Sequence, residues 1–270
     1  MTALVNHFTY EFKSGLRSTT SLLMNYLFPL GFYAMMGLVM TQVNPQFVDT
    51  MIPAMVLVSA MAATLLGMPS PLVESRDAGI YRSFKINGVP AGAILLMPAL
   101  TTIFHVLIVT VIISLTANPF FKGVVPENWW AFSLVTLVSV VACGGIGSLI
   151  GVVAGEARAV VLFSQLIFLP SMLVGGVMLP LDTLPESVRR ISLLLPSSHA
   201  MQAYAGYAYG QPTVISPLIA LLVLAASGAI AFALAVYLFN WDNKNETRRG
   251  HPLMGLLALV PYAISIFLVS

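Results

Sequence analysis

Residues 51–90 read MIPAMVLVSAMAATLLGMPSPLVESRDAGIYRSFKINGVP: an apolar run, Met51–Met68, passes directly into a loop that holds Glu74, Arg76, Asp77, Arg82 and Lys85. The hydrocarbon core of a bilayer takes about twenty apolar residues of helix, each rising roughly 1.5 Å. No water is available there for backbone N–H and C=O groups, so such a run is read as a spanning helix whose hydrogen bonds close within the segment. Five further runs of the same kind lie outward on both sides: Ser21–Met40, Ile94–Leu115, Trp130–Val153, Val160–Met178 and Leu218–Phe239. A final run, Leu253–Val269, is shorter and carries Pro261, and so spans, tilts or re-enters. The chain has 270 residues, 58% of them hydrophobic and 8% charged, with a mean hydropathy of +0.92, whereas about a quarter of a soluble domain's residues are charged. The polar gaps are too short for a second domain. The reading is an all-α integral membrane protein: one transmembrane domain over residues 1–270, with six spans and a seventh, C-terminal hydrophobic segment over residues 252–270.

The cations sort by side. Lys13, Arg17, Arg76, Arg82, Lys85, Arg158, Lys244, Arg248 and Arg249 fall in gaps on one side of the spans, and Lys122, Arg189 and Arg190 on the other, nine against three. Cytoplasmic loops carry the excess of Lys and Arg, which puts the N-terminus in the cytoplasm of a multi-pass protein of the plasma membrane. Trp129 and Trp130 at the start of the fourth span and Trp241 after the sixth sit where amphipathic rings favour the headgroup layer. Before the first span Leu4, Phe8, Phe12 and Leu16 recur every four residues with Glu11, Lys13 and Arg17 between them, the pattern of an interfacial elbow helix over residues 1–20. The run Ser21–Met40 exceeds the apolar length of an export signal, about 7–15 residues, and no small-residue cleavage site follows, so it is read as a retained span.

Several function classes lose support. A net charge of +2 with a pI near 8.7 is spread over loop anchors rather than gathered in a patch, so nucleic acid is not expected as a partner. Cys143 is the one cysteine and lies in an apolar run, which leaves no intrachain disulfide and no cysteine metal cluster. His105 is the one histidine within a span and has no acidic companion there, and Ser, Cys and His show no nucleophile and base pattern. No catalytic residue and no metal site is expected, and His105 is read as a hydrogen-bonded packing residue. No Asp, Glu, Lys or Arg lies well inside a span, although ion-coupled pumps use such charges. None of the lysines, at 13, 85, 122 and 244, follows a glycine. The GxxxxGK[ST] phosphate loop is therefore missing, and an ATP-driven role requires a separate nucleotidase.

Three polar or glycine-rich features remain. In the loop over residues 72–90, Asp77 through Ile86 is expected to form a short helix, with Ile80 and Phe84 on one face, Arg82 and Lys85 elsewhere, and Gly88 and Pro90 as stops. Its form suits either docking of a cytoplasmic partner or a solvated loop that enforces orientation. In the fourth span Gly147, Gly151 and Gly155 follow at four-residue intervals and leave one helix face bare for close packing. Over residues 179–213, Thr183 and Glu186 have capping-box spacing, and Leu184, Val188, Ile191 and Leu195 make an apolar stripe. An amphipathic helix on or in the outer leaflet is expected there, ended by Pro196, Ser197, Ser198 and His199, with Tyr204, Tyr207 and Tyr209 anchoring at the interface.

The elbow, the six spans, the loop Glu74-x-Arg76-x-x-Gly79 and the outer segment Gly176-x-Met178-x-Pro180, Pro185 and Pro196-x-x-His199 together resemble the membrane subunit of type-2 ABC exporters. The resemblance covers nearly the whole chain. It implies two such membrane subunits, as a homodimer or a pair of paralogues, above two cytoplasmic ABC ATPase subunits that bind ATP and Mg, with no cofactor in this chain. It implies that the ATPase seats on Glu74, Arg76, Asp77, Gly79, Ile80, Arg82, Phe84 and Lys85, a coupling helix, helped by Phe12 and Arg17 of the elbow. It also implies a path between the paired subunits lined by the second and fifth spans, which offer Met55, Met61, Leu65, Phe163, Phe168 and Met172. A lipophilic or amphiphilic cargo, whether drug, lipid or peptide, would move outward there by alternating access. Two other classes stand beside this reading: an ion-coupled secondary transporter or channel without an ATPase, and a membrane scaffold subunit. The added segment Leu253–Val269 departs from the family's usual plan.

Overall fold

A chain that must satisfy its backbone without water folds into helices, and in the computed structural model every apolar run does so. The structure describes residues 12–13, 15, 17–242 and 250–267, and no strand occurs among them. Six helices are long and apolar enough to cross a membrane: α1 (Thr19–Val43), α2 (Phe47–Asp77), α4 (Ala91–Phe121), α5 (Trp129–Val153), α6 (Ala157–Val174) and α9 (Pro217–Leu238). Between them lie the short helices α3 (Ile80–Ile86), α7 (Glu186–Ser192) and α8 (Pro196–Ala203), and α10 (Val260–Ile266) follows a 3-10 stretch, Pro252–Leu259. The all-α fold with six spans is as expected. Of the elbow pattern, Leu4, Phe8, Glu11 and Leu16 lie outside the described residues.

α2 has 31 residues, about 46 Å of helix against a hydrocarbon core of about 30 Å. The surplus, Pro69–Asp77, continues the helix past the apolar run. Glu74 and Arg76 thus belong to the span, and Asp77 is its last residue rather than the first of the next helix. Gly79, at φ +73, turns the chain through the left-handed region, so α3 begins only at Ile80. Pro29 and Pro69 each lack an N–H and press on the carbonyl four residues back. Just before each proline the helix widens into a π turn, over Leu23–Leu27 in α1 and Ala62–Gly67 in α2, which takes up the misfit. These two π turns pack against each other.

α2 and α5 are buried along most of their length, while α1 and α6 are largely exposed. α5 is wedged between α2 and α9 because glycine lets both approach. A β-carbon at Gly147 would collide with the Thr64 carbonyl of the α2 π turn, and one at Gly151 would meet Leu72 Cδ1 at 2.8 Å. Gly155 lies beyond the end of α5, and a β-carbon there would meet nothing within 4 Å. On the other side Gly145 and Gly228 place α5 against α9 so closely that a β-carbon on either would strike the partner's backbone. Cys143 is buried in this core.

α6 stops at Val174, four residues short of the expected Met178. A side chain at Gly175 would collide with Ser197 Oγ, and Gly176, at φ +85, folds the chain back so that Val177 is buried. The outer segment departs further from expectation. Thr183 gives its hydroxyl to the Pro180 carbonyl at 2.7 Å, no capping box forms, and α7 runs only over Glu186–Ser192, with Arg190 paired to Glu186. Pro196 to His199 do not end a helix; they open α8, every residue of which is buried. Tyr204 and Tyr209 are buried too, bonding Thr136 Oγ1 at 2.8 Å and the Val124 carbonyl at 3.4 Å, and only Tyr207 faces outward as an anchor would. The C-terminal segment inserts against α9 and α8: Ser227 donates to the Ala258 carbonyl at 2.7 Å, and Ser265 Oγ lies 3.0 Å from His199 Nε2.

Candidate functional site

The end of the bundle formed by the α2 extension, α3 and the start of α4 gathers Arg17, Glu74, Asp77, Ile80, Arg82 and Lys85, together with buried Arg76. Three contacts fasten this end of the bundle, the α2 extension and α3 together, to the ends of the other spans. The first is Arg76, 5% exposed, whose guanidinium donates from Nη1 to the Val152 carbonyl at 3.1 Å and from Nη2 to the Ala154 carbonyl at 2.6 Å. Those carbonyls are the open C-terminal acceptors of α5, where the helix dipole favours a cation. Arg76 was expected on the partner-facing rim; instead its charge is committed inside the chain. The second point is Tyr81, buried, with its ring 5.4 Å from that of Phe239 at the end of α9. The third is Arg82, paired to Asp242 just beyond α9 at 2.6 Å. Nothing in the sequence pattern signals Tyr81 or the Val152 and Ala154 acceptors, because each partner lies some 70 to 160 residues away along the chain.

The surface that α3 leaves open consists of Ile80, Arg82, Ser83, Lys85 and Ile86, with Ile86 85% exposed. Phe84 is half-buried beside Tyr81, so the apolar knob is made by Ile80 and Ile86 rather than by Ile80 and Phe84. Gly79 supplies the turn and no contact surface. Phe12 packs inward, stacked on His105 at 5.0 Å and edge-on to Phe104 at 5.4 Å, while Arg17 is exposed. His105 Nδ1 lies 2.6 Å from the Tyr26 hydroxyl.

Between the elbow, α1, α2, α3 and α4 lies a cavity of about 310 Å³. Its polar wall includes Ser21, Asn25, Glu74, Thr102 and His105, and its apolar wall Met68, Leu72, Tyr81, Phe84 and Ile94. The π turns of α1 and α2 contribute Asn25 and Gly67.

The residues expected to line a path divide differently. Met55, Met61 and Leu65 are fully buried in the packing of α2 against its neighbours within the chain. Phe168 and Met172 are buried on the inner face of α6, and Phe168 contacts Phe28 of α1. Phe163 is exposed, on the outward face of α6 with Leu166, Leu169 and Leu173. Among the described residues no group of His, Cys, Asp and Glu is placed to hold a metal.

Comparison with known proteins agrees with this architecture. The sequence profile described as "ABC-2 type transporter" matches residues 4–209. A Bacillus subtilis (strain 168) protein, YvfS, whose name assigns it by inference as a transport permease, is 24% identical over 193 residues, 70% of this chain and 78% of that protein. No solved structure matches the chain. With a family match over most of its length and six helices fit to cross a bilayer, the chain belongs to the ABC-2 type transporter family, as a multi-pass membrane permease subunit.

Proposed function

We propose that the protein is the membrane half of an ATP-driven exporter, with α3 as the element on which a separate cytoplasmic ATPase pushes. The observation that carries this reading is the mounting of α3. It presents Ile80, Ile86, Arg82 and Lys85 outward while Tyr81 and the Arg82–Asp242 pair tie it to the end of α9, and Arg76, at the end of α2 just before it, ties to the end of α5. A protruding apolar knob with charged neighbours is the form of an interface hot spot and its polar rim. Force applied there reaches two spans beyond α2 through short, specific contacts. ATP-driven closure below the membrane then shifts the bundle between inward-open and outward-open arrangements. The excess of cations at this end supports a cytoplasmic position for it and for the N-terminus.

Two copies of the chain, or this chain and a paralogue, pair through the exposed faces of α1 and α6. The cargo path at that seam is apolar, lined on this side by Phe163, Leu166 and Leu169, and suits a lipophilic or amphiphilic cargo. The test is Ile86→Asp with Ile80→Asp in the complex with its ATPase, in proteoliposomes. The expected result is normal membrane insertion with ATP-dependent transport lost and ATPase activity no longer responding to cargo. Full transport by the double variant would overturn the assignment of α3.

A further inference from the structure

The cavity below α3 is built as a ligand site rather than as a gap between helices. Asn25, in the α1 π turn, is 9% exposed, yet its amide makes no hydrogen bond to any described residue. Thr102 is 8% exposed, and its hydroxyl makes none either, although Thr101, Thr110 and Thr116 on the same helix all bond back to the carbonyl one turn before them. His105 uses Nδ1 on Tyr26 and leaves Nε2 toward Gly15 and the cavity. The polar atoms of all three open onto the cavity, where a ligand's polar head can take the place of water on one wall.

The charge on the wall says what that head is. Glu74, exposed to solvent where it lines the cavity, forms no ion pair among the described residues, and no Lys or Arg stands among the described lining residues. An anionic head would find no countercharge there. Tyr81 and Phe84 add aromatic rings that favour a cation, and Met68, Leu72 and Ile94 add apolar surface. The volume of about 310 Å³ falls at the small end of ligand sites, roughly 300–1,000 Å³.

We propose that this cavity binds the protonated amine head of an amphiphile, in each copy of the chain by itself and apart from the seam between subunits. The ammonium sits against the Glu74 carboxylate and donates to Asn25 Oδ1 and Thr102 Oγ1, and the alkyl body lies along Met68, Leu72 and Ile94. The proposal needs no ATPase and does not rest on the export reading, so each can fail alone.

The test uses the full chain in phosphatidylcholine nanodiscs and a dodecylamine carrying a diazirine, with labelled peptides located by mass spectrometry. Saturable labelling is expected in the peptides holding Asn25, Met68 and Thr102, displaced by dodecylammonium and about tenfold less well by dodecanoate or dodecanol, since a charge-assisted contact is lost. Glu74→Gln should weaken binding by about tenfold for the same reason. Asn25→Leu removes a cavity-facing amide and should lower labelling with thermal stability unchanged; a fall in both would assign Asn25 a structural role and count against the site. Unsaturable label spread over the exposed faces of α1 and α6, equal competition by dodecanoate, or an unchanged affinity in Glu74→Gln would overturn the proposal.

Discussion

Arg76 shows how one side chain changes the meaning of a motif. Set between Glu74 and Asp77 in the sequence, it has the look of a solvated charge, yet its guanidinium closes the C-terminus of α5 through Val152 and Ala154. Removing it strips both carbonyls of their donor, and hydrogen bonds to a charged group are worth about 1.5–3 kcal/mol each. Arg76→Met is expected to lower stability by about 3–6 kcal/mol on that scale. Arg76→Lys keeps the charge but cannot reach two acceptors with one fork, and should recover only part of the loss. Thermal unfolding of the purified variants in detergent checks the order wild type, Lys, Met; equal stability of all three would mean that the contact carries no load. The pair Arg82–Asp242 is of another kind. Half-exposed at Arg82, it contributes about 0–1 kcal/mol to stability, so its weight lies in linkage of α3 to α9. Arg82→Glu should reduce cargo-stimulated ATPase activity without lowering the unfolding temperature, and the charge swap with Asp242→Arg should restore it; a swap that restores nothing would remove this pair from the coupling route.

Among the elements, the six spans were legible because a lipid solvent leaves a long apolar run no fold but a helix. The glycine stripe was legible in part: Gly147 and Gly151 do admit α2, while Gly155 lies past the helix end and the tighter contact, Gly145 on Gly228, stood unnoticed in pairs of small residues. Gly147→Ala places a methyl group on the Thr64 backbone and should destabilise by about 1–3 kcal/mol, whereas Gly155→Ala should change stability by no more than about 0.5 kcal/mol. Denaturation of the two variants side by side tests which glycines are packing positions, and equal effects would contradict the assignment. Helix α8 was not legible at all. Pro196, Ser197, Ser198 and His199 read as a polar stop, and with Gln202 they are buried because each polar side chain finds a partner outside α8: the Ser171 and Ser192 carbonyls, Ser265 and the Val214 N–H. Periodicity reports which face is apolar, not which polar groups will be matched across the fold. The π turns were equally hidden, although Pro29 and Pro69 mark them once their cost to the preceding turn is considered.

At the scale of the whole molecule, buried α2 and α5 form a spine, and α1 and α6 present apolar faces to whatever surrounds the chain. The candidate site was legible as a region and not as a set of roles. Residues 74–86 do form the fastened end, but Arg76 and Tyr81 are its bolts and Ile80 and Ile86 its outward surface, while Met55, Met61 and Leu65 are buried farther along α2. With no phosphate loop in the sequence, the account holds that this subunit moves only when driven from outside itself. The most direct measurement is uptake of an amphiphilic cargo into inside-out proteoliposomes containing the chain, with and without its ATPase. Accumulation that requires both the ATPase and hydrolysable ATP is the predicted result, and accumulation by the chain alone under a proton or sodium gradient would contradict the account.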